Sequence, residues 1–357
     1  MNSPTGKRKI NAYETCTLCG RQCGTKRHEN QRGFCGESSE LRIASASIHR
    51  GEEPPITGLG GSGTIFITGC TLRCSFCQNY QISHQGMGSV VSPDQFAFIC
   101  MELERQGAEN INIVTGSHAV PALIMGLKTA RTNGLQIPAL WNSSAYESVD
   151  SINAASEQIS VYLPDLKTLD SDISARYFKA PDYPEVARKA ILRMAELRDI
   201  RFGPCRNGKN AVTEQPGKSA ANPDPEADLP EILKSGVIVR HLVLPERMES
   251  TRNVIKWFAR NLNGKALLSV MMQYTPVVIG QRSDGERMQI EAPPATRFVD
   301  EREYDTVLRM LEDFDISDGF YQELVPSDDW LPDFERENPF SSELSVPIWH
   351  WKTGFIT

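Results

Sequence analysis

Between residues 64 and 272 the chain alternates short β-type runs with stretches of helical spacing, and this restricts the fold more than any other feature. The apolar runs are 64–68, 111–114, 137–141, 159–163, 237–244 and 266–272. Phe96, Ile99, Cys100 and Leu103 follow the first run at i, i+3, i+4, i+7. Ahead of them Ser92, Pro93 and Gln95 make a capping box with proline at the first helical position. Val120, Leu123, Ile124 and Leu127 form the next helical face, with Gly134 near its end. Further faces run through Val186, Ala190, Ile191, Met194 and Leu197, through Val254, Trp257, Phe258 and Leu262, and through Val307, Leu308 and Leu311. Alternation of this kind calls for a parallel sheet with right-handed crossovers. Six units fall short of the eight in a closed barrel, so the spacing predicts an α/β fold, a partial (βα)6 TIM-like barrel. A doubly wound open sheet shares the signature. In either case the site belongs at the C-terminal ends of the strands.

The cysteines say what such a site holds. Nine occur in 357 residues, and seven lie within the first 77: Cys16, Cys19, Cys23, Cys35, Cys70, Cys74 and Cys77. A chain this long, 40% hydrophobic, does not need disulfide staples, so close-spaced thiols point to metal or cluster ligation. Cys100 falls on an apolar helical face and reads as packing, and Cys205 reads as a solvent-exposed spectator. Thirty-eight basic against forty-five acidic residues, a net charge of −7, argue against nucleic acid as a partner. No apolar run approaches the ~18 residues of a membrane helix, and MNSPTGKRKI lacks the apolar stretch of a secretory signal. The expectation is a cytoplasmic protein with no membrane partner.

Cys70-Thr71-Leu72-Arg73-Cys74-Ser75-Phe76-Cys77 has the spacing CxxxCxxC directly after the first run. Three thiolates in one tight loop can hold three irons of a 4Fe–4S cluster and leave the fourth open. Structural zinc wants four ligands; the nearest further candidate, His84, does not stand in zinc-finger order. Cys16, Cys19, Cys23 and Cys35 make a set of four, suited to structural zinc or to an auxiliary cluster.

The triad and the aromatic Phe76 before its third cysteine resemble the radical SAM superfamily. Longer stretches resemble its PflX-type, pyruvate formate-lyase activating enzyme-like branch: EEPPITGLGGSGTIFITGCTLRCSFCQNYQIS at 52–83, CTLCGRQC with GFCG at 16–36, NINIVTGSH at 110–118, YLPDLK at 162–167, VIVRHLVLP at 237–245 and MMQYTP at 271–276. The resemblance spans roughly residues 13–325 in order. It implies a 4Fe–4S cluster on Cys70, Cys74 and Cys77 whose open iron chelates S-adenosyl-L-methionine. One electron, from a donor such as flavodoxin or ferredoxin, then yields a 5′-deoxyadenosyl radical. It further implies cofactor contacts from Phe76, Thr115, Ser117, Asn142 and Asp165, most of them at strand ends. The branch implies a glycyl radical enzyme as partner. Radical modification of a peptide or small metabolite is the alternative, and a non-catalytic zinc-binding scaffold is the reading from another class.

The expected layout is a cysteine-rich metal-binding segment at 1–52, a barrel at 53–325 and an aromatic-rich tail at 326–357. Residues 13–50 show little periodicity, and 203–235 read as a loop insertion. Lys167 and Asp165 could be no more than a surface salt bridge. Of Arg240 and His241, strand alternation sends one inward. The tail, with Trp330, Phe334, Phe340, Trp349 and Trp351, is expected to pack over an open flank of the sheet.

Overall fold

The computed structural model of the chain describes residues 12–206, 230–277, 292–316, 318–328, 331–340 and 345–356. In chain order the first half carries β1 (Leu41–His49), α1 (Pro54–Thr57), β2 (Ser62–Ile67), α2 (Tyr80–Ser83), β3 (Ser89–Val91), α3 (Pro93–Arg105), β4 (Asn110–Val114), α4 (Val120–Thr132), β5 (Ala139–Ser143), α5 (Val149–Ala155) and β6 (Val161–Pro164). The second half carries α6 (Ser171–Phe178), α7 (Tyr183–Leu197), β7 (Arg201–Pro204), β8 (Glu231–Leu242), α8 (Met248–Asn261), β9 (Leu267–Met271), α9 (Glu301–Asp313), β10 (Gly319–Tyr321), β11 (Ser345–His350) and β12 (Gly354–Phe355).

One open sheet runs in the order β10-β9-β8-β6-β5-β4-β2-β1-β11-β12. From β10 to β2 every neighbour is parallel, and β1 and β11 then extend the sheet antiparallel. This is the open, partial TIM-like barrel the alternation calls for. The helices sit where the spacing puts them. Ser92 and Gln95 close the capping box of α3, and Phe96, Ile99, Cys100 and Leu103 are all buried. Asp300 and Glu303 do the same for α9.

Four expectations are corrected. Residues 13–50 are less formless than their composition suggests, because β1 is the nine-residue strand beside β2. Its serines and alanines are small enough to be buried on both faces, which hides the usual two-residue alternation. The stretch 203–235 is not wholly a loop. Residues 201–204 pair antiparallel with the start of β8, which begins at Glu231 rather than at 237; residues 207–229 lie outside the described residues. Cys205, read as exposed, is buried at 3% exposure, and its amide donates to the Pro230 carbonyl. A seventh parallel strand, β10, has only three residues, too few to show a period.

The C-terminal tail packs on the flank beyond β2. β11 pairs with β1, and Phe334 is fully buried edge-on against Phe66. Trp351 Nε1 donates to the Phe334 carbonyl at 2.8 Å, and Gln81 Oε1 accepts from the Phe334 amide at 2.7 Å. Trp330 lies outside the described residues. Among those described, no helix is long and apolar enough to cross a membrane.

Candidate active site in the barrel mouth

A cavity of about 490 Å³ runs down the inside of the barrel from the loop after β2. Cys70, Cys74, Cys77 and Phe76 line it at the mouth. The chain leaves β2 through Gly69, whose φ of +91° suits glycine, and Arg73 takes a left-handed φ of +56°. The loop so formed brings all three cysteines to the cavity. Cys70 Sγ accepts from the Leu72 amide at 3.4 Å, and Cys77 Sγ lies 3.3 Å from Ser83 Oγ. Ser83 Oγ also meets His84 Nδ1 at 2.8 Å, so His84 touches the triad through Ser83. Burial holds the His84 imidazole neutral, down to about 4.

Burial also pushes the Cys77 thiol up to about 11 and raises that of Cys74, which Lys167 partly offsets. Thiols desolvated this far keep their protons until a metal replaces them. Among the described residues no three His, Cys, Asp or Glu side chains stand together as ligands of a single ion. Cys70, Cys74 and Cys77 line the same cavity, and three thiolates are the donor set of a multi-iron cluster, in which each sulfur meets its own iron. The donor set therefore fits the 4Fe–4S group.

The strand ends supply the rest of the mouth. Thr115, at a left-handed φ of +64°, follows β4, while Asn142 and Ser143 close β5 and Asp165 follows β6. All four line the cavity, so the structure brings together Thr115, Asn142 and Asp165 of the residues that the resemblance singles out. Lys167 joins them, 2.6 Å from Asp165, so this ion pair sits in the cavity rather than on the outer surface. Burial would lower the Lys167 ammonium, but Asp165 and then Cys74 hold it above its ordinary value. Ser117 is a correction: it is buried, and its hydroxyl donates to Glu147 Oε1 at 2.5 Å. Glu147 needs that donor because it is buried with its carboxyl raised, so Ser117 braces the β4 and β5 loops and does not line the cavity.

The floor holds Glu52, Glu53 and Ser269, which sequence reasoning passed over, around Arg240, one of the pair it singled out. Alternation on β8 sends Arg240 inward and His241 outward. Arg240 Nε donates to Glu53 Oε1 at 2.9 Å and Nη2 to Glu52 Oε2 at 2.6 Å. Asn112 Nδ2 adds a bond to Glu52 Oε1 at 3.0 Å. Glu52, Glu53, Arg240 and Ser269 line the cavity, and α1 follows directly with Ile56 buried among Leu140, Val161 and Ile238. Read linearly, Glu52-Glu53-Pro54-Pro55 has the signature of a loop; its burial depends on strands distant in sequence. His241 is a satisfied core residue, bonded to the Leu166 carbonyl and to Thr251. On the flank, Pro332 and Phe340 of the tail line the cavity, with Phe340 packed on His49 and Phe66.

The N-terminal cysteine segment meets the mouth where the Cys70 amide donates to the Cys35 carbonyl at 3.3 Å. Cys16, Cys19 and Cys35 are buried, Cys23 is exposed, and all are free thiols. Burial raises Cys19 to about 12, and the neighbouring thiols of Cys16, Cys35 and Cys23 push the same way.

The model of the Radical SAM superfamily matches residues 64–201, from within β2 to the start of β7. The uncharacterized protein MJ0674 of Methanocaldococcus jannaschii is 27% identical over 274 residues, 74% of this chain and 68% of that one. Streptococcus suis SuiB bound to S-adenosylmethionine aligns with 71% of this chain at 13% identity and a TM-score of 0.43. The chain spans about half the length of that structure, 48%. A radical SAM methyltransferase from Sphaerobacter thermophilus aligns with 79% of this chain and 71% of its own, at 11% identity and a TM-score of 0.47. The stretch that matches the Radical SAM superfamily model, residues 64–201, contains the thiol triad at the barrel mouth.

Proposed function

We propose that the chain is an enzyme that reductively cleaves S-adenosyl-L-methionine and uses the resulting radical on a small polar substrate held in the lower cavity. The observation that carries this is the sharing of one cavity by Cys70, Cys74 and Cys77, the polar strand ends and the charged floor. Cys70, Cys74 and Cys77 would hold a 4Fe–4S cluster, which would supply the one-electron reduction that cleaves the sulfonium bond. The chain's own groups do the positioning. Asn142, Ser143 and the backbone at Thr115 offer hydrogen bonds to the amino and carboxylate ends of the methionyl part. Asp165 and Lys167 present one charge of each sign beside Cys74. Phe76 gives an apolar surface at the mouth, and Phe66 and Phe340 exclude water on the flank.

The floor and flank bear on the substrate. A glycyl loop from a partner enzyme would need the bottom or the side of the barrel. Among the described residues, α1 closes the bottom and Pro332 and Phe340 stand on the side. This favours a small substrate. Generation of a glycyl radical remains the second reading, favoured by the resemblance of residues 52–83 to the activating-enzyme branch. A one-electron donor such as flavodoxin or ferredoxin is the proposed partner in both.

The test is anaerobic reconstitution with iron and sulfide, followed by dithionite and S-adenosyl-L-methionine. 5′-Deoxyadenosine is expected from the unmutated protein and not from Cys70→Ala. No product from a protein carrying a reduced cluster would overturn the proposal. A glycyl radical EPR signal on mixing with a candidate partner enzyme would replace the small-substrate reading with the second one.

A further inference from the structure

The short helix α2 and the Cys70–Cys77 loop are bonded to each other at two points. The Gly69 amide, directly ahead of Cys70, donates to the Ile82 carbonyl at 3.0 Å. Arg73 Nη2, from the middle of the loop, donates to the His84 carbonyl at 3.0 Å. Within α2 the Ser83 amide bonds to the Asn79 carbonyl and the His84 amide to that of Tyr80. Ile82 anchors the helix in the apolar cluster of Phe66 and Phe334. Ser83, 5% exposed, lies between these ties, with its hydroxyl 3.3 Å from Cys77 Sγ. A side chain held in this way has one place to put its hydrogen bond.

The direction of that bond follows from the count of protons. Ser83 Oγ has two polar neighbours, Cys77 Sγ at 3.3 Å and His84 Nδ1 at 2.8 Å, and one proton of its own. A cysteine that ligates iron has given up its proton and can only accept. The Ser83 proton then goes to Cys77 Sγ, and His84 Nδ1 must donate to Ser83 Oγ. A neutral imidazole does this in one tautomer, with Nδ1 protonated and Nε2 bare. Burial keeps the His84 ring neutral. Among the described residues its Nε2 is buried and has no hydrogen-bond partner, so nothing there competes for the proton.

We propose that Ser83 is a positioning residue for the electron transfer: its hydroxyl, oriented by His84 Nδ1, donates to Cys77 Sγ and so sets the reduction potential of the group the triad holds. This rests on the reading of Cys70, Cys74 and Cys77 as the holders of a 4Fe–4S cluster. A hydrogen bond to a ligating sulfur stabilises the state with more negative charge, which is the reduced one, and raises the potential. The cluster is then easier for the one-electron donor to reduce. His84 acts only through Ser83; its part is to leave the serine proton free for the sulfur.

The experiment uses the full chain, reconstituted anaerobically with iron and sulfide and without S-adenosyl-L-methionine. Iron and sulfide are counted, and the reduced cluster is followed by EPR through a redox titration. Ser83→Ala is expected to keep the parent's iron and sulfide. At a given potential its ratio of reduced to oxidised cluster is expected to be about ten-fold lower, a midpoint about 59 mV lower for one electron. Ser83→Thr, which keeps the hydroxyl, is expected to restore the parent midpoint. His84→Phe, which removes only the orienting N–H, is expected to lower it by a smaller step, and it carries the test if Ser83→Ala loads poorly. A loaded Ser83→Ala or His84→Phe protein with the parent midpoint would overturn the proposal, as would a Ser83→Thr midpoint as low as that of Ser83→Ala. A parent that takes up no cluster would overturn both this proposal and the reading of the triad. A loaded parent that titrates as expected but forms no 5′-deoxyadenosine would overturn the proposed activity alone.

Discussion

The two ends of the cavity are built on opposite plans. At the mouth, burial raises the thiols of Cys74 and Cys77, and the Lys167 ammonium offsets this only in part. Such a wall is left for something to be added. At the floor, Arg240 is bonded to two carboxylates and Asn112 to one of them, so the charges are answered within the chain. A buried ion network without a ligand is costly unless it is complete. The contrast teaches that the mouth can be altered with loss of chemistry alone, whereas alteration of the floor reaches the fold.

The widest separation of the two ends is expected from Cys74→Ala set beside Arg240→Met. Cys74→Ala should drop 5′-deoxyadenosine to background while the urea midpoint of the apoprotein barely moves. Arg240→Met should do the reverse in origin, stranding Glu52 and Glu53 and costing about 3–5 kcal/mol in urea denaturation. An Arg240→Met protein as stable as the parent would break the comparison.

Acid gives a gentler probe of the floor. Burial would raise the Glu53 carboxyl, but Arg240 outweighs it and holds it below the ordinary carboxylate range. A carboxylate lowered on folding contributes stability that is present above its unfolded pKa of about 4.3 and lost as pH falls through the lower folded value. Stability followed by urea melts should therefore decline below about pH 4 in the parent and decline less steeply in Glu53→Gln. Equal slopes would remove Glu53 from the account.

Smallest in effect, Ser117→Ala sharpens where the mouth ends. It leaves the buried Glu147 short of a donor, for an expected loss of about 1–3 kcal/mol, with S-adenosyl-L-methionine affinity unchanged. Asn142→Ala, by contrast, should weaken that affinity about ten-fold at nearly full stability. Equal binding losses in the two variants would put Ser117 back in the site.

The mouth was legible in the sequence because its residues are local: the thiols fall within eight positions, and the polar ends directly follow apolar runs. The floor was not. Glu52 and Glu53 meet Arg240 across 188 and 187 positions, and no short-range pattern announces that pairing. β1 escaped because Ala44, Ser45, Ala46 and Ser47 carry no alternation, and β10 because three residues are too few. The strand ends were legible as a class, yet only contacts could show that Thr115 faces the cavity while Ser117, two residues on, serves Glu147.

The position of α1 in the chain has a consequence for biosynthesis. Residues 52–57 leave the ribosome before β2 and every strand that encloses them, and Arg240 follows nearly two hundred residues later. The stopper is thus present before the vessel, and the barrel assembles around it with no opening needed for its entry. Until β8 arrives, the two carboxylates stay hydrated, so the nascent chain does not meet their desolvation cost before their counter-charge has been made.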